Sequence, residues 1–418
     1  MSRFRLDTSF FRQSGWMLGT AAMAGVLYGL VQVIAQRTNP DEQQFTLFAA
    51  LMDWLGQLAI PSLGLQTVFA HQAALAQTDS QRRELASTAR GVLAGLALIW
   101  LMIAALSFLF QREILIAYKV SSPAALWITV ATALAMLVQP VFYGILQGRE
   151  NFLWLGWANL ANSAGRLVTV AIIVLLLHGQ AVGVMLGVLA GTLTATVMLM
   201  VQAYPSCRGP GAPVQWKHWL KRVIPVTLGL GAPTVMFTQD IIAVQRYFTD
   251  GKDAYSAARV VGRALVFITI PLAAVMFTRL VQSGAKAEKT TVARQAFAAS
   301  AGAGVLAAIV CTILPELPLR LLSPQSFWTA SWLVPWFAWG MLPLALSYVL
   351  VNNLLAQERY AVVPPLVLLA IGYWFALSAR HDSFLHVVQL FCTFSSLLFL
   401  TCLGFTWQAN RRSNKVLN

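Results

Sequence analysis

Apolar residues run along this chain in blocks of about twenty, the length at which an α-helix crosses a bilayer's hydrocarbon. Short polar intervals separate them. Twelve blocks result: 15–36, 45–70, 91–110, 124–147, 152–177, 181–204, 223–247, 257–281, 296–315, 330–353, 360–379 and 386–407. Single prolines inside them (Pro61, Pro140, Pro233, Pro271, Pro343) do not argue against spans, because neighbouring helices re-satisfy freed backbone groups. Arg3, Arg5 and Arg12 precede the first block in the manner of a signal peptide. Gln32 and Gln36 late in the block, and the lack of a small-residue cleavage site, favour a first spanning helix. Every connection is short, so the pattern predicts an all-α integral membrane protein with no room between spans for an extramembrane domain.

Composition agrees. Of 418 residues, 58% are hydrophobic and 11% charged, and mean hydropathy is +0.67. A soluble domain carries about 25% charged residues, so a soluble enzyme is excluded. Cys207, Cys311, Cys392 and Cys402 form no CxxC pair, and the five histidines show no HxxxH or HExxH spacing. No disulfide, metal site or cofactor is expected.

The net charge of +14 changes the picture once it is distributed. With both termini on one side, that side holds nineteen Lys and Arg against six acids, and the other holds seven of each. The bias places both termini in the cytoplasm. The excess then records topology and contact with anionic membrane lipids, and no nucleic-acid partner is needed.

An internal repeat recurs at an offset of 210 residues. Leu18, Gly19 and Ala22 meet Leu228, Gly229 and Ala232. Leu55, Ile60 and Pro61 meet Leu265, Ile270 and Pro271, and Val141, Gln147 and Arg149 meet Val351, Gln357 and Arg359. Six spans per half make the halves parallel repeats, an arrangement secondary transporters use. Pro205, Gly209, Pro210, Gly211 and Pro213 mark the boundary, giving six-helix lobes over 1–208 and 209–418.

Besides Arg246 and Arg279 at span ends, which are counted with the flanking sides, five charges fall inside spans: Arg166, Arg259, Arg263, Asp53 and Asp240. Each costs about 2.5–3.5 kcal/mol at the bilayer centre, so they must face water or one another. Arg166 ends a polar face with Asn159, Asn162 and Ser163, at spacings i, i+3, i+4, i+7. Hydrogen-bonded helix packing accounts for the Asn and Ser but poorly for an arginine, so a wet cavity is the expectation there. Arg259 and Arg263 stand i, i+4 on span 8, and their forks match a diphosphate or carboxylate bidentately. Against that, Arg259 lies near the span's end and is expected to snorkel to headgroups. Asp53 and Arg263 share a repeat position, which predicts a gating pair between the halves; Asp240 is the competing partner, and permanent neutralisation is the plain alternative. Uncharged stripes (Tyr28, Gln32 and Gln36 on span 1; Thr227, Thr234, Thr238 and Gln239 on span 7) suit sugar hydroxyls or ordinary packing.

Two segments carry a resemblance. Tyr143-Gly-Ile-Leu-Gln-Gly-Arg149-Glu-Asn-Phe152 forms the tight turn between spans 4 and 5, and Tyr255-Ser-Ala-Ala258 opens span 8 after Asp240. With twelve spans and a six-plus-six repeat, the chain resembles the multidrug/oligosaccharidyl-lipid/polysaccharide (MOP) exporter superfamily, and most of all its polysaccharide transporter branch. The resemblance implies a V-shaped two-lobed fold with a cationic cavity and alternating access, and no catalysis. It implies a polyprenyl-diphosphate-linked oligosaccharide as substrate, moved from the cytoplasmic to the outer leaflet of the inner membrane, with glycan-assembly proteins as partners. Arg166 and Arg263 are then the diphosphate candidates. Span 1 lacks the basic residues of lipid II flippases and the two extra spans common among them are missing, which points to other glycan lipids. It also lacks the acid that drug exporters often place there. A cation-coupled exporter using Asp53 and Asp240, and a membrane glycan polymerase or glycosyltransferase using Asp250, Asp253 or Asp382, are the competing readings.

Overall fold

A computed structural model describes residues 8–38, 51, 55–56, 58–117, 123–176, 180–210, 212–248, 251–282, 286–322 and 325–415. Among them there are helices and no strands, and twelve long helices organise the chain. They are α1 Thr8–Thr38, α2 Ala59–Leu75, α3 Asp79–Leu109, α4 Pro123–Gly148, α5 Phe152–Val170, α6 Gln180–Cys207, α7 Trp216–Tyr247, α8 Lys252–Gln282, α9 Lys286–Ile313, α10 Val334–Ala356, α11 Val363–Ala379 and α12 Phe384–Lys415. Each expected span overlies one of them, the second only in part. Nine of the twelve, among the described residues, are long and apolar enough to cross a membrane, and Gly15–Val31 in α1 is a shorter apolar stretch.

Contacts divide the chain into two compact units, Met1–Leu220 and Lys221–Asn418. The division falls inside α7, because Trp216 and Trp219 belong to the first unit. Trp216 lies edge-on to Trp219, with centroids 5.9 Å apart, and Trp219 stands against Phe69 of α2.

Within each unit the sequential order of packing is similar. In the first, α2 lies on α4, α4 on α6 and α1 on α5; in the second, α8 lies on α10 and α10 on α12, while Gly229 of α7 meets Val363 of α11. Small residues permit these approaches, as they do where hydrocarbon surrounds helices and packing must supply the association. A Cβ on Gly144 or Gly148 of α4 would run into the carbonyls of Gln66 and Ala70 on α2. Gly340 of α10 lies against Phe391 and Cys392 of α12, and its carbonyl accepts from Ser395 Oγ at 2.8 Å.

The fourth helix of each unit ends in the same way. Asn151 N donates to Leu146 O at 2.9 Å and Glu150 N to Gln147 O at 3.0 Å; Arg359 N donates to Leu354 O and Glu358 N to Leu355 O, both at 3.0 Å. These are Schellman turns, and Glu150 and Glu358 each take φ of 56° at the left-handed position. The turns are therefore 208 residues apart. The 210-residue register puts Gln147 opposite Gln357 and Arg149 opposite Arg359, and the structure moves both by two.

Candidate functional site

Of the charged residues expected within spans, Arg166 is described in the first unit and Asp240, Arg259 and Arg263 in the second, and each unit is described by itself.

In the second unit the cluster is built on α7 and α8. Thr234, Phe237 and Asp240 follow one another at three-residue steps along one side of α7. Tyr255, Arg259 and Arg263 recur every four residues along α8, so they share one face. The two faces meet at Asp240. Its carboxylate accepts Arg259 Nε at 2.5 Å and Nη2 at 2.8 Å, a bidentate fork, and Tyr255 OH at 3.2 Å. Arg259 Nη2 also reaches the Phe237 carbonyl. Asp240 is 0% exposed and Arg259 3%. That burial corrects the expectation of snorkelling: Arg259 turns inward because a carboxylate and a backbone carbonyl there satisfy its fork. It also decides the competition for Asp240, whose partner is Arg259.

Arg263 is left differently placed. Its guanidinium sits over the Phe237 ring, 4.1 Å from the centroid, and its buried Nε has no hydrogen-bond partner among the described residues. Tyr348 of α10 and Thr234 share a hydrogen bond of 2.9 Å, and Tyr348 is within electrostatic reach of Arg263. Since Arg259 already neutralises Asp240, Arg263 remains a half-buried cation surrounded by an aromatic face and hydroxyls.

In the first unit the cluster lies on α5, where it meets α1, α4 and α6. Asn159 Nδ2 donates to Tyr143 OH at 3.4 Å. Asn162 Oδ1 is buried without a partner among the described residues, as is Arg166 Nε. The Arg166 guanidinium lies over the Tyr28 ring of α1, 5.2 Å from its centroid. A cation–π contact of this kind returns about 0.5–2 kcal/mol, less than an arginine costs inside a membrane. Gly191 of α6 packs so closely that a Cβ there would strike the Asn162 carbonyl, which fixes this face of α5 in position. The α-helix ends at Val170 and continues as a π-helical turn, Ala171–Leu176; such turns accompany functional sites more often than chance.

The structure thus brings Asn159, Asn162 and Arg166 together in one unit, and Asp240, Arg259 and Arg263 in the other. Gln239, next to Asp240, is half-buried. Asp53 and the Gln32 side chain lie outside the described residues. Tyr28, expected only as part of a polar stripe, proves to be the ring under Arg166. Three contributors were missed: Phe237, Tyr348 and the hydroxyl of Tyr255. The four-residue spacing of Tyr255, Arg259 and Arg263 was the signal that could have revealed Tyr255. Among the described residues no group of His, Cys, Asp or Glu could hold a metal ion.

No family model and no curated protein sequence matches the chain. Solved structures do. A variant of the Vibrio cholerae MATE transporter VcmN matches with a TM-score of 0.77 at 12% identity, over 97% of this chain and 98% of that one. The eukaryotic MATE transporter AtDTX14 matches with a TM-score of 0.72 at 12% identity, over 93% of both chains. A MOP superfamily transporter from Pyrococcus furiosus, described by the reverse polarity of its binding pocket, matches with a TM-score of 0.70 at 14% identity, over 97% of this chain and 95% of that one. The chain shares their fold, an all-helical multi-pass membrane architecture of the MOP type.

Proposed function

We propose that this protein is a transporter that flips a polyprenyl-diphosphate-linked oligosaccharide from the cytoplasmic to the outer leaflet by alternating access, in the assembly of a cell-surface polysaccharide. The observation that carries the proposal is Arg263. It is a half-buried guanidinium whose nearest carboxylate is already neutralised by Arg259, and its Nε has no partner among the described residues. An anion would complete it, and a guanidinium fork suits a phosphate oxygen pair. Arg166 in the first unit likewise has a buried Nε with no partner among the described residues, beside the Tyr28 ring. In either unit such an arginine suits a phosphate oxygen pair of the substrate's diphosphate. Asn159, Asn162 and Gln239 supply polar contacts for sugar, and the Thr234–Tyr348 pair lies beside Arg263. The polyprenyl chain stays in lipid. Arg259 serves the site by pairing with Asp240, and the cycle turns only if the two access states bind the lipid with different affinity. Glycan-assembly proteins on the cytoplasmic side would deliver the substrate.

A cation-coupled exporter of small amphiphiles is the second reading, favoured by the fold shared with MATE transporters. Fold alone does not select a substrate, and the Pyrococcus furiosus protein, whose reverse pocket polarity suggests a different function, has the same fold. Asp240 is the carboxylate such an exporter would use. Here it already accepts three hydrogen bonds, two of them from a guanidinium, so a coupling cation would have to displace Arg259.

Depletion of the protein in its own host tests the two. Accumulation of lipid-linked sugar on the inner leaflet is expected, relieved by wild type and relieved less than a tenth as well by Arg263→Gln or Arg166→Gln. Unchanged lipid-linked sugar, together with an amphiphile efflux that Asp240→Asn abolishes, would transfer the case to the exporter.

A further inference from the structure

Outside these clusters, among the described residues, a cavity of about 440 Å³ in the first unit gathers charge. Three stretches of chain converge on it: the first turn of α3, the turn between α4 and α5, and the end of α6. They bring four guanidiniums, Arg82, Arg83, Arg149 and Arg208, with Ser206 and a single carboxylate, Asp79. All four arginines are exposed to solvent.

Three of the four arginines find neutral partners. Arg149 Nη1 donates to Ser206 Oγ at 2.6 Å, Arg82 Nε reaches the Ala76 carbonyl at 3.4 Å, and Arg208 lies over the Tyr204 ring at 5.8 Å. None makes a salt bridge among the described residues, and neither does Asp79. The α3 N-terminus adds the positive end of a helix dipole. Its Thr78 hydroxyl and Gln81 amide are occupied in a capping box and do not neutralise it. Like charges converging on one concavity repel. Water and salt screen that repulsion only in part, so a bound anion would relieve the rest, and the geometry selects which one. Arginine forks from several directions match the oxygens of a tetrahedral phosphate better than a planar carboxylate or a monatomic ion. The cavity falls in the size range of small-molecule sites.

We propose that this cavity is a phosphate-binding site, separate from the membrane-interior arginines, that takes a phosphate-bearing headgroup. It belongs to the face on which the chain's basic residues accumulate, where anionic lipid is attracted by basic pockets at helix ends. A phosphodiester of an anionic phospholipid and a soluble phosphate ester offer the same chemistry to the four arginines. The proposal stands on this cavity alone and does not depend on the transported substrate.

The test uses the full chain in detergent. Native mass spectrometry reads lipid retained per chain as phosphatidylglycerol is titrated in, with zwitterionic phosphatidylethanolamine as the headgroup control. Arg83 and Arg208 donate no hydrogen bond that holds the fold, so the first variant is Arg83→Gln with Arg208→Gln. Arg411→Gln, an exposed arginine over Trp407 on α12, is the control for general surface charge. Wild type and the control are expected to retain one phosphatidylglycerol with at least tenfold higher affinity than the glutamine pair, and the difference should shrink as salt is raised. If the glutamine pair does not elute as a single species, Arg83→Lys with Arg208→Lys keeps the charges and removes the forks, and a loss of at least threefold is expected. Displacement of the lipid by millimolar inorganic phosphate assigns the site to soluble phosphate esters; retention in its presence assigns it to the lipid. Equal retention by wild type, variants and control, with no effect of phosphate on lipid or melting temperature, overturns the proposal.

Discussion

Asp240 and Arg259 show how far a single residue's role depends on its neighbours. A charge alone in this interior would cost several kcal/mol, whereas the pair with its Tyr255 and Phe237 bonds is complete. Breaking a buried pair costs about 3–5 kcal/mol, because the survivor stays buried and uncompensated, whereas removing both charges costs far less. Asp240→Asn is therefore expected to lower the thermal midpoint in detergent sharply, and Asp240→Leu combined with Arg259→Met to recover most of the loss. Equal losses in the single and double variants would mean that the two residues do not act as a pair. Tyr255→Phe removes one bond and should cost about 1 kcal/mol. Arg263→Gln should leave the midpoint near wild type, since no described residue completes its Nε, while abolishing the proposed transport. The sequence could say that Arg259 must escape lipid but not by which route. Snorkelling and pairing both satisfy an arginine near a helix end, and only the approach of α7 chooses between them.

At the scale of helices, the apolar blocks were legible because their length is dictated by the bilayer and not by any partner. The turns that join them were less so. Glu150 and Glu358 were not recognised as Schellman residues, because glycine is the usual occupant and neither position carries one. The repeat register slipped there too: apolar helices match at many offsets, and Gln147 and Arg149 met tempting counterparts two residues from the true ones. A left-handed conformation costs a non-glycine residue about 1–2 kcal/mol. Glu358→Gly removes that strain at the loss of the 2.7 Å ion pair that half-exposed Glu358 makes with Arg222, which is worth about 0.2–1 kcal/mol. Glu358→Ala loses the pair and keeps most of the strain. The glycine variant should melt at or above wild type and the alanine variant below it, a gap of about 1 kcal/mol. Helix crossings obey the opposite rule. At Gly148, where any side chain meets the Ala70 carbonyl, Gly148→Val should force α2 from α4 and reduce the folded fraction on size-exclusion chromatography.

For the molecule as a whole, the charge asymmetry makes the boldest statement, since a fold shared with transporters says nothing of which end faces the cytoplasm. On the topology the sequence predicts, nineteen basic residues fall at one end of the spans and seven at the other, and the positive-inside rule turns that expectation into a testable orientation. The four arginines of the phosphate cavity belong to the richer end, so the orientation also decides which leaflet or compartment can supply their ligand. Both ends offer exposed sites for a reporter: Gln77 and Gln215 at the basic end, Arg112 and Asp382 at the other. In a Cys207→Ser background, which removes the half-buried native thiol at the basic end, cysteines at Arg112 or Asp382 should react with a membrane-impermeant maleimide in intact cells. Cysteines at Gln77 or Gln215 should react only after permeabilisation. The reverse pattern would place the termini outside. The cavity would then face the outer leaflet, and the direction of flipping proposed here would have to be reversed with it.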